Sequence, residues 1–422
     1  MSTAIKIRNM YEDGFYRIYE SGATEFTDLK ELTKQMEADT KWTVVEGCRF
    51  EAIEDPMRVQ AICGDPSHPG SIISKEILLD TADECHAQLG VHFINEHGQE
   101  IMECVGESAL HSIYSNIADL KGNGWNKPSP ANKAVALNAF VPTAGTITVM
   151  TEGEKVRAMV SGKFQHMPIP ELLQITEDLD AHLGIPSFQS GFVDHSVCVC
   201  KFLYPDIAKD ITDAYRNILA LHGRTLGPNA QVIPVVEFRS SNTTGEAAKL
   251  LTYLQLAPGH LMPVGEGVRV NHVAPVDYDD SGNRKTALQK FQEESQLIYS
   301  RLELEMNEML PAMLETPIDY PVNTFIGLCK KAQIPQKWGG LVEEELKAEW
   351  PDHSGCTFLD IYEALTSVTK KALTDAKNPN AARLLDLEEA IARIAHNRVL
   401  WTKYDLPGTV AWVQAVSRGG NN

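Results

Sequence analysis

Basic side chains recur on the strand-like segments in the middle of this chain. They are Lys155, Arg157, Lys163, Lys201, Arg239 and Arg269. Because side chains alternate between the two faces of a strand, alternating positions allow these residues to line a single sheet face. Four aromatic residues lie near them in the sequence: Phe164, Phe202, Phe238 and Tyr253. Such a face would bind single-stranded nucleic acid by phosphate pairing and base stacking, whereas the alternative is an ordinary solvated face with its aromatics in the core.

Arg157 is the strongest single candidate for a binding side chain. In VRAMVSGKF, period two places Val156, Ala158 and Val160 on one, apolar face, so Arg157 and Ser161 project from the other. Lys155 and Lys163 fall in the same row, where three cations repel one another unless an anion binds there. The alternative, left open, is an ion pair between Arg157 and an acidic neighbour such as Glu237.

Two short clusters resemble metal ligands but fail on geometry. His195, Cys198 and Cys200 offer zinc ligands, yet the two cysteines share one strand face and the histidine falls on the other, so we expect small buried cysteines. The segment that begins at Asp277 opens like a calcium loop, but its closing position is Leu288 and lacks the required carboxylate. Asp279, Ser281 and Gly282 in that segment therefore predict an Asx-rich turn, and no metal or other cofactor is expected.

Catalytic motifs are absent from the sequence. Asp194, His195 and Ser196 contain the residue types of a hydrolase triad, but neighbours on a strand point to opposite faces. The glycine pair at 265–267 precedes a strand rather than a helix, which does not support a phosphate cradle. We predict no catalytic residue and favour a non-enzymatic protein, although an enzyme whose site has no local motif stays open.

The charge of the chain is strongly negative and unevenly distributed. The 422 residues carry 57 acidic and 38 basic side chains, a net charge of −19. Residues 1–125 carry −12, residues 126–276 carry −1 and residues 277–422 carry −6. Such a surface repels a polyanion at long range, so only the near-neutral middle segment is expected to hold a local basic face.

Composition also indicates the cellular setting. No apolar run approaches the roughly 20 residues of a membrane-spanning helix, and the polar start lacks the apolar stretch of a signal peptide. The eight cysteines form no dense framework, which is typical of reduced thiols. We therefore expect a cytoplasmic protein with no membrane partner and no structural disulfide.

The predicted elements divide the chain into three regions. Residues 1–125 form an acidic α+β region with a helix over 26–36, a hairpin formed by 42–53 and 58–63, and helices over 73–89 and 100–120. Residues 126–276 form a central sheet-bearing domain. Strict βαβ alternation is absent, so an α+β fold with a mixed or antiparallel sheet is expected. Pro234 places the strand 231–239 towards a sheet edge.

Residues 277–422 are predicted to be helical. A stripe of apolar residues at three- and four-residue steps indicates one helix of about eight turns from Thr286, interrupted only by Ser295. The stripe comprises Leu288, Phe291, Ile298, Leu302, Met306, Met309 and Met313. Packing against the domain body is favoured over a coiled coil. Further helices are expected over 358–376 and 381–401.

Five strings, in order, resemble a family of phage/plasmid-like proteins gathered as domain of unknown function 932. They are ILLDTADECHAQLG (77–90), GEKVRAMVSGKFQHMPIPELL (153–173), FRSSNTTGEAAKLL (238–251), VRVNH (268–272) and TFLDIYEALTSVTK (357–370). The resemblance covers roughly residues 75–375. Val156, Arg157, Ala158, Ser161 and Phe164 follow its strand pattern, and Ser241, Asn242 and Gly245 follow its second motif.

The chain also departs from that family pattern. Thr243 and Thr244 replace a Ser-Glu pair, the CTNG element is missing, and His272 keeps a histidine while Ala274 replaces the glycine that follows it. The family carries no established activity to transfer. The resemblance implies a mobile-element protein of a phage or plasmid, for which DNA processing, recombination and evasion of host defence are functions by association.

Two functions are consistent with the sequence. The favoured one is a phage or plasmid accessory protein that binds or anneals single-stranded DNA with its central sheet. The alternative is a self-assembling or host-blocking protein that docks on a host partner through the acidic residues 1–125. The partners implied are single-stranded DNA, a second copy of the chain as a homo-oligomer, or a host protein, and the setting is the host cytoplasm.

Overall fold

A computed structural model provides the structure of the protein. It describes residues 17–408 and Trp412, except for residues 21, 54–57, 66–67, 79–88, 95–99, 106–130, 133–134, 136–145, 153–154, 180, 194–196, 242–245, 266, 280, 351–354 and 375–380.

The strands and helices are numbered here in chain order. The strands are β1 (Arg17–Glu20), β2 (Thr40–Ile53), β3 (Arg58–Asp65), β4 (His68–Leu78), β5 (Leu89–Ile94), β6 (Glu100–Val105), β7 (Thr146–Glu152), β8 (Lys155–Ser161), β9 (Ser187–Val193), β10 (Cys198–Leu203), β11 (Ile233–Ser240), β12 (Ala248–Ala257), β13 (His260–Pro263) and β14 (Val268–Val270). The helices are α1 (Ala23–Ala38), α2 (Ile169–Glu177), α3 (Ala208–Leu221), α4 (Ala287–Ser295), α5 (Ile298–Leu314), α6 (Pro321–Lys331), α7 (Gln336–Glu349), α8 (Phe358–Thr374), α9 (Ala381–His396) and α10 (Arg398–Trp401).

The larger sheet has seven strands, and every pairing within it is antiparallel. Its order is β1-β9-β10-β11-β12-β13, and β14 pairs with the first half of β12 beside β13. Helices flank this sheet and form the C-terminal part of the chain. The predicted α+β fold with an antiparallel sheet is therefore confirmed.

The second sheet has the order β4-β3-β2-β7-β8, again with antiparallel pairs. The separate hairpin β5–β6 contacts β4 through β5 and β8 through β6. The five strands of this second sheet and the two strands of the hairpin therefore follow one another around a ring. The predicted hairpin of β2 and β3 is confirmed. Strands from both sides of residue 125 build this sheet, and the domain boundaries at 125 and 276 stay predictions.

One face of the seven-stranded sheet forms a core with α1, α2 and α4. Cys198, Cys200 and Phe202 alternate along β10 and point into this core, together with Phe238 of β11. Period-two alternation of apolar residues thus buries this face, and it leaves the polar residues at the intervening positions on the opposite face. That opposite face carries the candidate site described below.

The C-terminal helices enclose a second core, which includes Leu302, Met306, Met309 and Met313 of the apolar stripe. The first three residues of the stripe, Leu288, Phe291 and Ile298, pack into the first core instead. The stripe lies on two helices, α4 and α5, rather than on the single helix predicted from Thr286. Ser295 ends α4, and its hydroxyl donates to the carbonyl of Gln292 at 2.7 Å.

Three further expectations were wrong. The segments predicted as helices over 73–89 and 100–120 contain β4, the first residue of β5 and β6, and residues 79–88 and 106–120 lie outside the described residues. Ile73 and Ile77 satisfy both helical spacing and strand alternation, and pairing with β3 decides between them. The strand with Pro234 is central, because β11 pairs with β10 on one side and with β12 on the other. Pro234 lies beyond the last pair between β10 and β11, and its carbonyl accepts from the Tyr204 amide at 3.0 Å.

Among the described residues, no helix combines the length and the apolar composition needed to cross a membrane.

Candidate functional site

Three neighbouring strands carry cations at paired positions. Arg239 of β11 lies opposite Lys249 of β12, and Lys249 lies opposite Arg269 of β14. Directly paired residues share a sheet face, and neighbouring strands are about 4.8 Å apart. The three cations therefore form a row across the sheet, which we call the cation row.

One end of the cation row is closed by a buried tetrad of charges. Lys201 of β10 lies opposite Glu237 of β11, and its Nζ is 2.8 Å from Glu237 Oε2 and 3.0 Å from Glu388 Oε1. Arg239 donates to Glu237 Oε1, and its Nη2 lies 3.0 Å from Glu388 Oε2 of α9. Two cations thus meet two carboxylates, and the net charge of the tetrad is zero.

Burial and ion pairing oppose each other in the tetrad. Burial alone would lower the pKa of Lys201, but Glu237 and Glu388 hold it above its usual value. Burial would raise the pKa of Glu237, and Arg239 and Lys201 hold it below its usual value. For Glu388, burial prevails over the two cations and raises the pKa. The two cations thus favour the ionised form of Glu237, whereas burial disfavours the ionised form of Glu388.

The middle of the cation row is also compensated. The ammonium group of Lys249 pairs with Glu246 and with Glu389 of α9, and its side chain is only 5% exposed. Arg269, at the end of the row, is exposed, and it has no ion-pair partner among the described residues. The two cations of the row next to α9 are thus paired with carboxylates, and the third, Arg269, is not paired with any described carboxylate.

A cleft of about 960 Å³ opens over the exposed part of the cation row. Its walls come from β12, β13 and β14, from α4 and α5, and from α9 and α10. Among the described residues, six cations and three glutamates line it, in a chain whose net charge is −19. The charged residues are Lys249, Arg269, Lys290, Arg301, Arg393, Arg398, Glu294, Glu388 and Glu389.

The cations of the cleft differ in how firmly they are held. Arg301 pairs with Glu294 and donates to the Gly267 carbonyl at 3.0 Å, while Lys290 lies 3.0 Å from Asp277. Arg393 lies 2.7 Å from Glu389, but its side chain is 74% exposed. Arg398 is exposed and lies over the ring of Trp401 at 5.6 Å. Within the described part of the chain, Arg269 and Arg398 are the cleft cations without a carboxylate partner.

The glycine pair at 265–267 lines the cleft but serves packing. Gly265 and Gly267 have φ of +81° and +65°, which favours glycine at both positions. A Cβ atom at Gly267 would clash with the Leu250 carbonyl oxygen. The loop is therefore shaped by its close approach to β12.

The structure brings together only part of the predicted basic face. Lys201, Arg239 and Arg269 lie on one face of the seven-stranded sheet. Lys155, Arg157 and Ser161 belong to β8 of the other sheet, and Lys163 is exposed just after it, so a single face for all of them was wrong. The side chains of Lys155, Arg157 and Ser161 lie outside the described residues, and anion binding by Arg157 stays a prediction.

Three of the four aromatic residues expected to stack on bases are in the interior, while Phe164 is partly buried. Phe202 and Phe238 are buried in the core of the opposite face, and Tyr253 is 2% exposed. The Tyr253 hydroxyl accepts from Arg239 Nη2 at 3.3 Å. These three rings are thus part of the core and of the tetrad's surroundings, as the alternative interpretation expected.

Of the family-motif residues, His272 lies beside the bridge between Phe164, after β8, and Val273, after β14. Ser241 is buried, while Asn242 and Gly245 lie outside the described residues. His272 is 6% exposed, its ring stacks on Phe164 with centroids 5.0 Å apart, and its Nδ1 is 3.3 Å from the Gln165 carbonyl oxygen. Burial lowers the pKa of His272 to about 4, and nearby His166 acts in the same direction.

The described residues of the two metal-like clusters lie in the core and in a turn. Cys198 and Cys200 are buried free thiols, and burial raises the pKa of Cys200, as expected for small core residues. His195 lies outside the described residues. Asp279 Oδ1 accepts from the amides of Ser281 and Asn283 at 2.9 and 2.8 Å, which confirms the Asx turn. In the described part of the chain, no group of three or more His, Cys, Asp or Glu is arranged to hold a metal.

Several residues of the site were missed in the sequence. They are Lys249, Glu388, Glu389, Arg393 and Arg398. The only local signal is the spacing of Glu389 and Arg393, four residues apart on one helix. Lys249 lies on β12, a strand that the sequence did not predict.

No protein-family model, curated protein or solved structure matches this chain.

Proposed function

We propose that this chain is a phage or plasmid accessory protein that binds single-stranded DNA in the cleft beside the cation row. The observation that carries the proposal is a pair of accessible arginines in the cleft of a chain whose net charge is −19. Among the described residues, Arg269 and Arg398 are exposed and have no carboxylate partner, and the described lining holds six cations and three glutamates. The mobile-element setting rests on the family resemblance alone.

Phosphate contacts supply most of the sequence-independent affinity for nucleic acid, and they need cations that are accessible to solvent. Arg239 and Lys201 do not meet this requirement, since both are paired in the tetrad. The proposed contacts are therefore Arg269 and Arg398, joined by the largely exposed Arg393. The negative charge of the remaining surface limits binding to the cleft.

The test is a titration of a labelled single-stranded oligonucleotide at increasing salt concentration. We expect a negative slope of log affinity against log salt of roughly 0.7 for each phosphate contacted. The double variant Arg269→Glu with Arg398→Glu should lower the affinity at low salt by at least about a hundredfold, because each reversal replaces attraction by repulsion.

Arg216→Glu is the matched control. Arg216 is a partly exposed arginine on α3, outside the cleft, and pairs with Asp213. This reversal should leave the affinity nearly unchanged. Absence of binding at low salt, or an equal loss in the control, contradicts the proposal.

Two further variants separate the cleft from the other predicted surfaces. If β8 holds the site instead, reversal of Arg157 and Lys163 weakens binding and reversal in the cleft does not. Charge reversal within residues 1–125 disrupts function only if the acidic region docks on a host partner.

A further inference from the structure

The cleft has an apolar component beside its cations. Leu251 and Pro263 contribute to it from the sheet, and Ala392 and Val399 contribute from the helices. Val399 is 79% exposed, although valine residues are usually buried. A ligand that consisted only of phosphate would leave this apolar surface in water.

Val399 is exposed although its helix, α10, is held against the core by the neighbouring residues. In α10, Leu400 and Trp401 are buried, and Trp401 Nε1 donates to the Ile394 carbonyl at 3.1 Å. The Trp401 ring also stacks on Phe358, with centroids 4.7 Å apart. These contacts fix α10 to the core, and they hold Asn397, Arg398 and Val399 at the cleft.

These three consecutive side chains differ in chemistry. Arg398 supplies a positive charge, Asn397 supplies an amide that both donates and accepts hydrogen bonds, and Val399 supplies an apolar surface. An unstacked nucleotide presents the matching groups: a phosphate, the polar edge of a base and the apolar face of that base. In a duplex, by contrast, base faces are stacked on one another and cannot reach a side chain.

We infer that the cleft holds nucleotides with their bases unstacked, the base against Val399 and Asn397 and the phosphates against Arg398 and Arg269. This inference rests on the proposed function and adds to it the recognition of the base itself. It makes the cleft selective for single strands over duplexes and over polyanions without bases.

The experiment compares two labelled single strands of equal length, an oligothymidylate and an abasic deoxyribose-phosphate strand, by fluorescence anisotropy at one low salt concentration. Contacts to a base face contribute substantially to single-strand affinity. We expect the abasic strand and a duplex of the same length to bind about tenfold more weakly than the oligothymidylate. Equal affinity of the two single strands overturns the inference and leaves the proposed function intact, whereas no binding of either strand overturns both.

Variants locate the base contact. Val399→Ser should weaken oligothymidylate binding about fivefold and leave the affinity for the abasic strand unchanged, because only the base contact is removed. Val276→Ser is the matched control, since Val276 is 83% exposed and lies outside the cleft. Arg269→Gln should weaken both strands equally. A Val399→Ser variant that binds oligothymidylate as tightly as the unmodified protein excludes Val399 as the base contact.

Discussion

The buried tetrad and the open cleft lie side by side on one sheet face and share α9, yet their charge balance differs. In the tetrad, Lys201 and Arg239 are matched by Glu237 and Glu388, and no member is more than 17% exposed. Among the described residues that line the cleft, six are cations and three are glutamates, one of which is Glu388 of the tetrad. The same strands therefore carry a neutral structural cluster and a positively charged surface.

The difference follows from the position of α9. Its consecutive residues Glu388 and Glu389 serve two different positions of the cation row, Arg239 and Lys249. Arg269 lies one strand further from the tetrad, in the cleft. Coverage by a helix thus decides which cation has a structural role and which is accessible to a ligand.

The two regions also differ in what a substitution should do. A buried ion pair contributes little net stability, because desolvation offsets most of the Coulomb attraction, but loss of one partner leaves an uncompensated buried charge. An exposed cation contributes little to stability, whether it is paired or its partner has been removed. Substitutions in the tetrad should therefore change the free energy of unfolding, and substitutions at Arg269 should change ligand affinity.

The largest effect is expected for Glu237→Gln in the tetrad. This change keeps the shape of a fully buried side chain but removes the carboxylate shared by Lys201 and Arg239. Breaking such a pair should lower the free energy of unfolding by about 3–5 kcal/mol. Denaturant unfolding measures it. Glu344→Gln, at a carboxylate that is 74% exposed, should cost less than about 0.5 kcal/mol, and equal costs for the two changes would contradict a structural tetrad.

His272 extends the comparison to a buried group that has no ion-pair partner in the part of the chain that the structure describes. Its pKa falls from an ordinary 6.5 to about 4 in the folded protein, because the charged form is poorly solvated. Between these values the unfolded chain binds more protons, so stability is retained above pH 6.5 and falls as the pH decreases towards 4. The loss should be roughly 3 kcal/mol.

The test compares the unfolding free energies of the unmodified protein and of His272→Gln between pH 7 and pH 4. The variant should lose the part of the pH dependence that His272 supplies, whereas His182→Gln, at an exposed histidine, should retain it. A pH profile that is identical in the two variants would show that His272 does not titrate as expected.

Lys249 lies between the tetrad and the open end of the cleft, so its substitution should lower both the stability and the ligand affinity. Lys249→Met keeps most of the buried stem and removes a charge that pairs with Glu246 and Glu389, whose side chains are 22% and 20% exposed. These carboxylates regain water easily, so the cost should be about 2 kcal/mol, less than in the tetrad. Oligonucleotide affinity should also fall by a few fold. An unchanged unfolding free energy would assign Lys249 to the cleft alone.

The fold class could be predicted because its signals are local. Alternation in β2, β3 and β10 and the apolar stripe of α4 and α5 extend over a few residues each. The failures at β4 and β6 arose where helical and strand spacing coincide and tertiary pairing decides.

The site could be predicted only in part, because its contacts are distant in sequence. Arg239 and Glu388 are 149 residues apart, and Lys201 and Glu388 are 187 residues apart. The basic residues on the strands were visible, but the register of β11, β12 and β14 determines which of them are neighbours. Nothing in the sequence indicates that α9 supplies carboxylates to two members of the row and none to the third.

The smallest effect on stability is expected for Arg269→Gln, and it is the sharpest test of the comparison. Arg269 is exposed at the open end of the cation row, so its replacement should change the free energy of unfolding by less than about 0.5 kcal/mol. Removing one phosphate contact should also weaken oligonucleotide binding at every salt concentration and reduce the magnitude of the log–log slope by about 0.7. Denaturant unfolding and salt-dependent anisotropy on the same preparation measure the two quantities. A loss of stability near that of Glu237→Gln would show that Arg269 belongs with the buried charges, and the distinction between the closed and open ends of the row would then fail.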